Sequence, residues 1–376
     1  NNATNDFGGS VTARGTNITL VDAGALVAAL TATGNSTLTA GTTLGVSGST
    51  HGLTTSAGGA TTLGSTTVGG NLSLTGTGAV TQNGPLTVSG TTLISAAGQS
   101  VTLDNAGNDF TGAVTVTGAT TALRDSNALT AALATTGDTT VQAGGDLIVS
   151  GTVSGLGSDL TTTTTGTGST QFGTTTVGGK LAATSAGAVT QSGALTVTDT
   201  TTLTATGQAV TLDNAGNDFT GAVTVTGATT ALRDSNALTA ALATTGDTTV
   251  QAGGDLVVSG TVSGAGSDLT LDAGGKMILG ATTVAGNLAS NTRGAGNAGG
   301  VTQTGALTVA GTAIFTADTG TNQDAGLTYA GNDFQGNLSL TAANGGNWRN
   351  VSVTDANSLT LGNVTASGTL DATAAQ

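Results

Sequence analysis

The sequence contains no cysteine, no glutamate, a single proline and almost no aromatic residues. Without cysteine, neither a disulfide framework nor thiol chemistry is available. Aromatic residues make up only 2% of the chain, whereas a thick globular core usually relies on them for buried area. The core is therefore expected to be thin and built from small aliphatic side chains in narrow layers.

Charge is also scarce and one-sided. Charged residues make up 7% of the chain, and 21 acidic residues, all aspartate, face seven basic ones, giving a net charge of −14. This balance disfavours nucleic acid and anionic membrane surfaces as partners. No apolar stretch is long enough to cross a bilayer, so we expect no membrane insertion.

The hydrophobic content argues for a folded chain despite the abundance of glycine and threonine. Hydrophobic residues reach 37%, and valine and leucine alternate with threonine, which like valine is a strand former. Disordered chains combine low hydrophobicity with a high density of charge, and this sequence has neither. We therefore predict β-structure rather than disorder.

Repeats occur at a long period. Asn-Asp-Phe appears four times and Val-Thr-Gln three times, and residues 101–161 differ from 210–270 at only two of 61 positions. Near-identity of this kind indicates duplication of one long unit. The Asn-Asp-Phe copies lie at 5–7, 108–110, 217–219 and 332–334, and the Val-Thr-Gln copies at 80–82, 189–191 and 301–303. The sequence units run over approximately 1–104, 105–213, 214–328 and, in part, 329–376.

A finer rhythm predicts the fold. Pieces such as Gly112–Val116 and Gly145–Val149 alternate apolar and polar residues and then meet Gly, Asn or Asp, which are strand and turn signals. We predict an all-β fold, a right-handed parallel β-helix of roughly 20 residues per coil, running as one continuous solenoid through residues 1–376. Threonine at alternate positions is expected to face solvent. The predicted inward residues are Val101, Leu103, Val114, Val116, Leu147, Val149, Leu195 and Val197.

A string of immunoglobulin-like domains is the alternative architecture for threonine- and valine-rich strands. Such sandwiches use a core tryptophan and a tyrosine corner, and the duplicated segments contain neither residue. The length of the sequence unit also varies from copy to copy, which a solenoid tolerates because each coil contacts only its neighbours. The sequence therefore favours the solenoid.

The recurring phrase at 212–223, together with residues 353–362, resembles the repeat region of filamentous-haemagglutinin-type large exoproteins and autotransporter-like β-helices. The resemblance spans nearly the whole chain. It implies export to the surface of a Gram-negative bacterium through an outer-membrane secretion partner. It also implies a role as an adhesin, a biofilm-matrix fibre or a stalk. From it we expect a structural or adhesive fibre segment, secreted and without catalysis.

Other functions stay open at this point. The chain could be a passive spacer stalk that presents another domain, or a filament that self-associates end to end or side by side, because exposed strand edges are templates for association. A host, bacterial or carbohydrate receptor is a further partner class. Ice binding by the run Thr161 to Thr165 and activity on polysaccharides are less favoured.

Catalytic constellations are not evident in the sequence. The only histidine, His51, lies in a Ser-Thr-His-Gly turn, where a solvated surface role is expected because a general base needs supporting geometry. Paired carboxylates of the glycosidase kind are not expected from aspartates that sit in turns. We therefore predict no enzyme activity, no catalytic residues and no cofactor.

One turn deserves a metal test. Asp104 and Asp109 enclose a stretch of Asn, Ala and Gly, and Asp213 and Asp218 repeat it; oxygen ligands of this kind suit calcium. Asn, Asp and Gly are equally the residues that make tight turns. The expectation is a plain turn without metal, with these four aspartates as the calcium candidates. Arg124-Asp125 and its copy Arg233-Asp234 are expected to be exposed turn residues or part of a receptor surface.

Overall fold

A computed structural model describes residues 2, 4–296 and 299–375 and contains strands, turns and bends but no α-helix among them. The described chain forms two compact units, Asn1–Gly187 and Ala188–Gln376. Parallel strands stack in a β-solenoid of about 18 turns, with roughly 20 residues per coil. The prediction of an all-β parallel solenoid is thereby confirmed. A single uninterrupted coil through residues 1–376, divided into the four sequence units, stays a prediction.

The first unit contains 21 strands, two or three to each coil. They are Val11–Gly15 (β1), Ile18–Asp22 (β2), Leu26–Ala32 (β3), Asn35–Ala40 (β4), Leu44–Thr50 (β5), Gly52–Ala57 (β6), Thr61–Val68 (β7), Leu72–Gly76 (β8), Val80–Gln82 (β9), Leu86–Val88 (β10), Thr92–Ser95 (β11), Val101–Leu103 (β12), Asp109–Phe110 (β13), Val114–Gly118 (β14), Thr121–Asp125 (β15), Leu129–Thr135 (β16), Thr139–Ala143 (β17), Leu147–Val153 (β18), Leu160–Thr164 (β19), Thr170–Val177 (β20) and Leu181–Thr184 (β21).

The second unit repeats this arrangement. Its strands are Val189–Gln191 (β22), Leu195–Val197 (β23), Thr201–Thr204 (β24), Val210–Leu212 (β25), Asp218–Phe219 (β26), Val223–Gly227 (β27), Thr230–Asp234 (β28), Leu238–Thr244 (β29), Thr248–Ala252 (β30), Leu256–Val262 (β31), Leu269–Ala273 (β32), Met277–Val284 (β33), Leu288–Thr292 (β34), Val301–Gln303 (β35), Leu307–Val309 (β36), Ala313–Asp318 (β37), Gln323–Leu327 (β38), Asp333–Phe334 (β39), Leu338–Ala343 (β40), Trp348–Asp355 (β41), Leu361–Val364 (β42) and Leu370–Ala374 (β43).

Each unit has two sheets, and the chain alternates between them at every half-turn. In the first unit one sheet takes β1, β3, β5, β7, β9, β10, β12, β13, β15, β17, β19 and β21, and the opposite sheet takes β2, β4, β6, β8, β11, β14, β16, β18 and β20. In the second unit one sheet takes β24, β27, β29, β31, β33, β35, β36, β38, β39, β41 and β43, and the opposite sheet takes β22, β23, β25, β26, β28, β30, β32, β34, β37, β40 and β42. Equivalent strands of successive coils pair in parallel, as in β14 with β16 and β27 with β29.

The sequence period contains an odd number of half-turns. In the first unit Asp22 ends β2, whereas its sequence equivalent Asp125 ends β15 in the opposite sheet. In the second unit Asp234 ends β28 and its equivalent Asp355 ends β41, again in opposite sheets. Within each unit, successive copies of the same motif therefore face opposite sides of the solenoid.

The core consists of thin layers, as the composition predicts. All eight residues predicted to point inward are fully buried. Most of the few aromatic side chains lie inside as well: Phe110, Phe172, Phe219 and Trp348 are among the largest fully buried side chains, whereas Tyr329 is exposed. Stacked side chains of successive coils, about 4.8 Å apart, thus replace a globular centre.

Threonine does not face solvent throughout, contrary to the simple alternation expected from sequence. Thr139 and Thr162 are buried at inward positions. Near the corner of the coil, the Thr135 and Thr139 hydroxyls are 2.7 Å apart and bond to each other. Pairing satisfies the hydrogen-bonding capacity of these two hydroxyls in the interior, whereas the Thr162 hydroxyl is buried without a hydrogen-bond partner.

A β-bulge recurs in the same place of the first three sequence units. Gly48, Gly151 and Gly260 have φ of 102°, 107° and 114°, and at each of them the register against the next coil shifts. A side chain there would strike the backbone of the coil below, since a Cβ on Gly151 would lie 2.0 Å from the Leu133 carbonyl oxygen. These positions therefore require glycine.

Candidate functional site

The two recurring sequence motifs, Val-Thr-Gln and Asn-Asp-Phe, lie in contact in the folded chain. The glutamine of Val-Thr-Gln and the asparagine of Asn-Asp-Phe form a reciprocal amide pair: Gln82 Nε2 donates to Asn108 Oδ1 at 2.8 Å, and Asn108 Nδ2 donates to Gln82 Oε1 at 2.9 Å. The pair recurs as Gln191 with Asn217 (2.8 and 2.9 Å) and as Gln303 with Asn332 (2.7 and 3.0 Å). We call this recurring contact the amide clamp.

The asparagine of each amide clamp also serves the backbone. Asn108 Oδ1 accepts a hydrogen bond from the Leu86 N–H at 3.0 Å, and Asn108 Nδ2 donates to the Leu103 carbonyl at 3.1 Å. Asn108, Asn217 and Asn332 have no exposed surface. The buried amide therefore satisfies backbone groups at a point where the strand is interrupted, which explains the recurrence of both motifs.

A buried aspartate completes the cluster. Asp125 Oδ2 accepts the Phe110 N–H at 2.8 Å, and its Oδ1 accepts the Asn127 N–H at 2.7 Å. The same two bonds form at Asp234 (2.8 and 2.7 Å), at Asp355 (2.8 and 2.7 Å) and at Asp22 (3.0 and 2.7 Å). The carboxylate thus fixes the Asn-Asp-Phe segment onto the following coil.

Burial raises the pKa of the Asp125 carboxyl above its usual value of 3.8, although the N–H groups of Asn127 and Phe110 act in the opposite direction. The charge of Asp109 adds a smaller increase. The pKa of Asp234 is raised for the same reasons, by burial and then by Asp218, against the N–H groups of Asn236 and Phe219. Removing a carboxylate from water disfavours its charged form.

These raised pKa values predict a direction for stability against pH. The folded chain binds protons at Asp125 and Asp234 at a higher pH than the unfolded chain does. Its free energy of unfolding should therefore increase as the pH falls through the raised pKa toward 3.8. We expect the wild type to gain stability relative to the double variant D125N/D234N between pH 7 and weakly acidic pH, measured by urea denaturation. A relative loss on acidification would contradict this prediction.

The four calcium candidates sit beside the cluster rather than around a common point. Asp104 is exposed and Asp109 is half-buried at opposite ends of their turn, and Asp213 and Asp218 repeat this. Within the turn, Asn105 Oδ1 accepts the Gly107 N–H at 2.9 Å, as in an ordinary Asx turn. In the part of the chain that the structure describes, no three His or Asp residues group as metal ligands.

Calcium is accordingly expected to leave the protein's stability unchanged. The Asn105 oxygen is engaged within its turn, and a calcium ion requires six or more oxygen ligands. The melting temperature should be the same with excess calcium chloride and with EDTA, in a scan followed by circular dichroism. An upward shift with calcium that disappears in a D104N/D213N variant would show that these turns bind the ion.

A surface depression lies beside the buried aspartate Asp125 in the first unit, and an equivalent one lies beside Asp234 in the second. In the first unit it encloses about 240 Å³ over Arg124 and in the second about 210 Å³ over Arg233. We call these two depressions the arginine hollows. The first is lined by Ala106, Arg124, Asp125, Ser126, Gln142, Ala143, Gly144, Thr163 and Thr165, and the second by Ala215, Arg233, Asp234, Ser235, Gln251, Ala252, Gly253, Asp272 and Arg293.

The arginines of the chain fall into two groups. Arg293 lies between Asp272 and Asp318, at 2.9 and 3.3 Å, and Arg349 pairs with Asp324. Within the described ranges, by contrast, the guanidinium groups of Arg14, Arg124 and Arg233 form neither ion pairs nor hydrogen bonds. Sequence reasoning identified Arg124 and Arg233 as exposed charged positions, but the hollows around them depend on coil stacking.

Other singled-out residues are not brought together. His51 is exposed in its turn and borders a shallow depression with Asn35, Gly52 and Asn71, and no carboxylate lines that depression to orient an imidazole. In the threonine run, Thr161 and Thr163 are half-exposed whereas Thr162 and Thr164 are buried. The run therefore does not form a flat outward row.

Comparison with protein families gives one match. A family model described as repeats of unknown function (DUF5649) matches residues 48–117, 157–226, 266–341 and 349–376, which is more than half of the chain. Neither the curated proteins nor the solved structures contain a significant match. Among the residues that the structure describes, no helix has the length and apolar character needed to cross a membrane.

Proposed function

Because the chain belongs to the family of repeats of unknown function (DUF5649), we propose that it is a structural and adhesive fibre segment without catalytic activity. A repeat family and a parallel solenoid define a scaffold that is extended by adding coils. Function in such a protein resides in surface sites placed on the scaffold. The proposal therefore concerns the use of the whole repeat array, with adhesion carried by its outward residues.

The observation that carries the proposal is how the recurring polar residues are used. The amide clamp and the buried aspartate are the most strongly repeated polar groups. Their side chains hydrogen-bond to each other or to the backbone and hold backbone segments in place. A catalytic group needs to reach a substrate with its own hydrogen-bonding or charge capacity free. The repeated chemistry of this chain serves the stacking of coils, as a load-carrying fibre requires.

The proposed setting follows from the same resemblance as the proposed role. The repeats resemble those of filamentous-haemagglutinin-type exoproteins, and the absence of cysteine is compatible with passage through an oxidising compartment. We propose secretion through an outer-membrane partner and residence at the surface or in the biofilm matrix of a Gram-negative bacterium.

Two related roles remain alternatives to adhesion. A passive stalk is favoured by the near-identity of residues 101–161 and 210–270, because a spacer needs length more than surface detail. A self-assembling filament would grow through the unpaired edges of stacked coils.

Electron microscopy of the purified chain tests the extended form common to the adhesive segment and the stalk, and separates both from a self-assembling filament. We expect separate rods of uniform length; continuous fibres would favour self-assembly, and globular particles would contradict the fibre. In parallel, incubation with a panel of polysaccharides should release no new reducing ends. Turnover that is abolished in an aspartate-to-alanine variant would refute the absence of catalysis.

A further inference from the structure

The arginine hollows retain unspent hydrogen-bonding capacity. Arg124 offers a guanidinium whose donors have no partner among the described residues, and the Gln142 amide and the Thr163 hydroxyl beside it are likewise without side-chain hydrogen bonds there. In the β-ladder these three residues are register neighbours on successive coils, Arg124 opposite Gln142 and Gln142 opposite Thr163. They therefore form one outward row about 4.8 Å apart.

The lining defines the chemistry of the ligand. A guanidinium with free donors matches a carboxylate in a two-pronged contact, and an amide and hydroxyls match alcohol groups. The only apolar side chains that line the first hollow are Ala106 and Ala143. A peptide would find no pocket for an apolar or aromatic anchor there, although such anchors dominate peptide and protein recognition.

We propose that each arginine hollow binds a uronic-acid residue of an acidic polysaccharide, with the sugar carboxylate on the guanidinium of Arg124 or Arg233. This deepens the adhesive part of the proposed function and rests on it. Gln142 and Thr163 in the first hollow contact the sugar hydroxyls. The protein's net charge of −14 opposes polyanions at long range, so binding depends on these short-range contacts.

The two hollows differ at two positions, because Thr163 and Thr165 line the first where Asp272 and Arg293 line the second. Gln142 pairs in register with Thr163, whereas its counterpart Gln251 pairs with Asp272. Asp272 brings a carboxylate to the wall of the second hollow and is held by Arg293 at 2.9 Å. Arg293 is paired with both Asp272 and Asp318 and so offers no free guanidinium to a ligand. Because the negative charge of Asp272 beside Arg233 disfavours an anionic ligand, the first hollow should bind the uronate more tightly than the second.

Titration of the full chain with a galacturonic-acid tetramer, followed by calorimetry, tests the assignment. R124Q should weaken the tighter site by about tenfold or more, since a charged hydrogen-bonded pair is lost, and R124Q/R233Q should abolish both sites. R14Q is the matched control, because Arg14 is exposed on β1 and lines neither hollow. D272T should tighten the second site and T163D should weaken the first.

Several outcomes would overturn the inference. These are no binding of the tetramer, equal binding of its methyl ester, an equal loss in R14Q, or binding that survives in R124Q/R233Q. Preferential binding of a peptide through its C-terminal carboxylate would assign the hollows to another class of ligand. Electron micrographs of the same variants keep the two proposals apart: intact rods without binding refute the site alone, whereas globular particles refute the fibre.

Discussion

Replacing Asn217 by alanine is expected to lower the free energy of unfolding of the second unit by about 4 kcal/mol, because several buried polar groups lose their partners at 1–3 kcal/mol each. The groups left behind are the Gln191 amide, the Leu195 N–H and the Leu212 carbonyl. Urea denaturation followed by circular dichroism, with hydrogen exchange across residues 191–236, measures the loss and its location.

The matched control for this prediction is N236A, which removes an exposed side chain from the turn that follows Asp234 and should change stability by no more than about 0.5 kcal/mol. The amide clamp also predicts coupling: the double variant N217A/Q191A should lose less stability than the two single variants added together. Strict additivity would show that the two amides act independently.

The G151A variant is expected to destabilise the first unit by about 4 kcal/mol, combining a strained backbone with overpacking. Gly151 has φ of 107°, and an added Cβ would lie 2.0 Å from the Leu133 carbonyl oxygen and 2.8 Å from its nitrogen. Since both atoms belong to the backbone of the neighbouring coil, no side-chain rotation relieves the contact. The shift in the urea midpoint measures the effect.

A second glycine distinguishes the cost of backbone strain from the cost of steric overlap with the neighbouring coil. Gly157 also has positive φ, 72°, but nothing lies within 4 Å of a Cβ built there. G157A should therefore cost only about 1 kcal/mol, the conformational share. If G151A and G157A were equally destabilising, close approach of the coils at the bulge would have no energetic weight.

Much of the fold follows from alternation along single strands. Val114 and Val116 are buried while Thr115 between them is exposed, because side chains point to opposite faces at period two. Such local rules identify strands and inward residues without knowledge of which coil lies above which. The preference for a solenoid over immunoglobulin-like domains rested on other features: the duplicated segments lack tryptophan and tyrosine, and the length of the sequence unit varies from copy to copy.

The amide clamp could not be derived in the same way. Gln82 and Asn108 are 26 residues apart, and their contact depends on how many residues each intervening turn consumes. Their joint recurrence in the sequence was the available signal, and each motif was noted, but only the stacking register brings them together. The buried Gln323, which accepts the Gly300 N–H at 2.9 Å, was missed altogether because nothing in its local sequence repeats.

The arginine hollows fall between these cases. Arg124 was recognisable as an exposed position, and the copy at Arg233 followed from duplication. Whether an arginine is paired depends on the outward neighbours in the next coils, which are Gln142 and Thr163 for Arg124 but two aspartates for Arg293. The register between coils therefore determines which arginines are paired.

The odd count of half-turns has a genetic consequence. Gain or loss of one whole period within either unit would move each later strand of that unit from one sheet to the opposite sheet. A second such change would return those strands to their original sheet. Length variants would therefore alternate in which of the two sheets carries a given later residue of the unit.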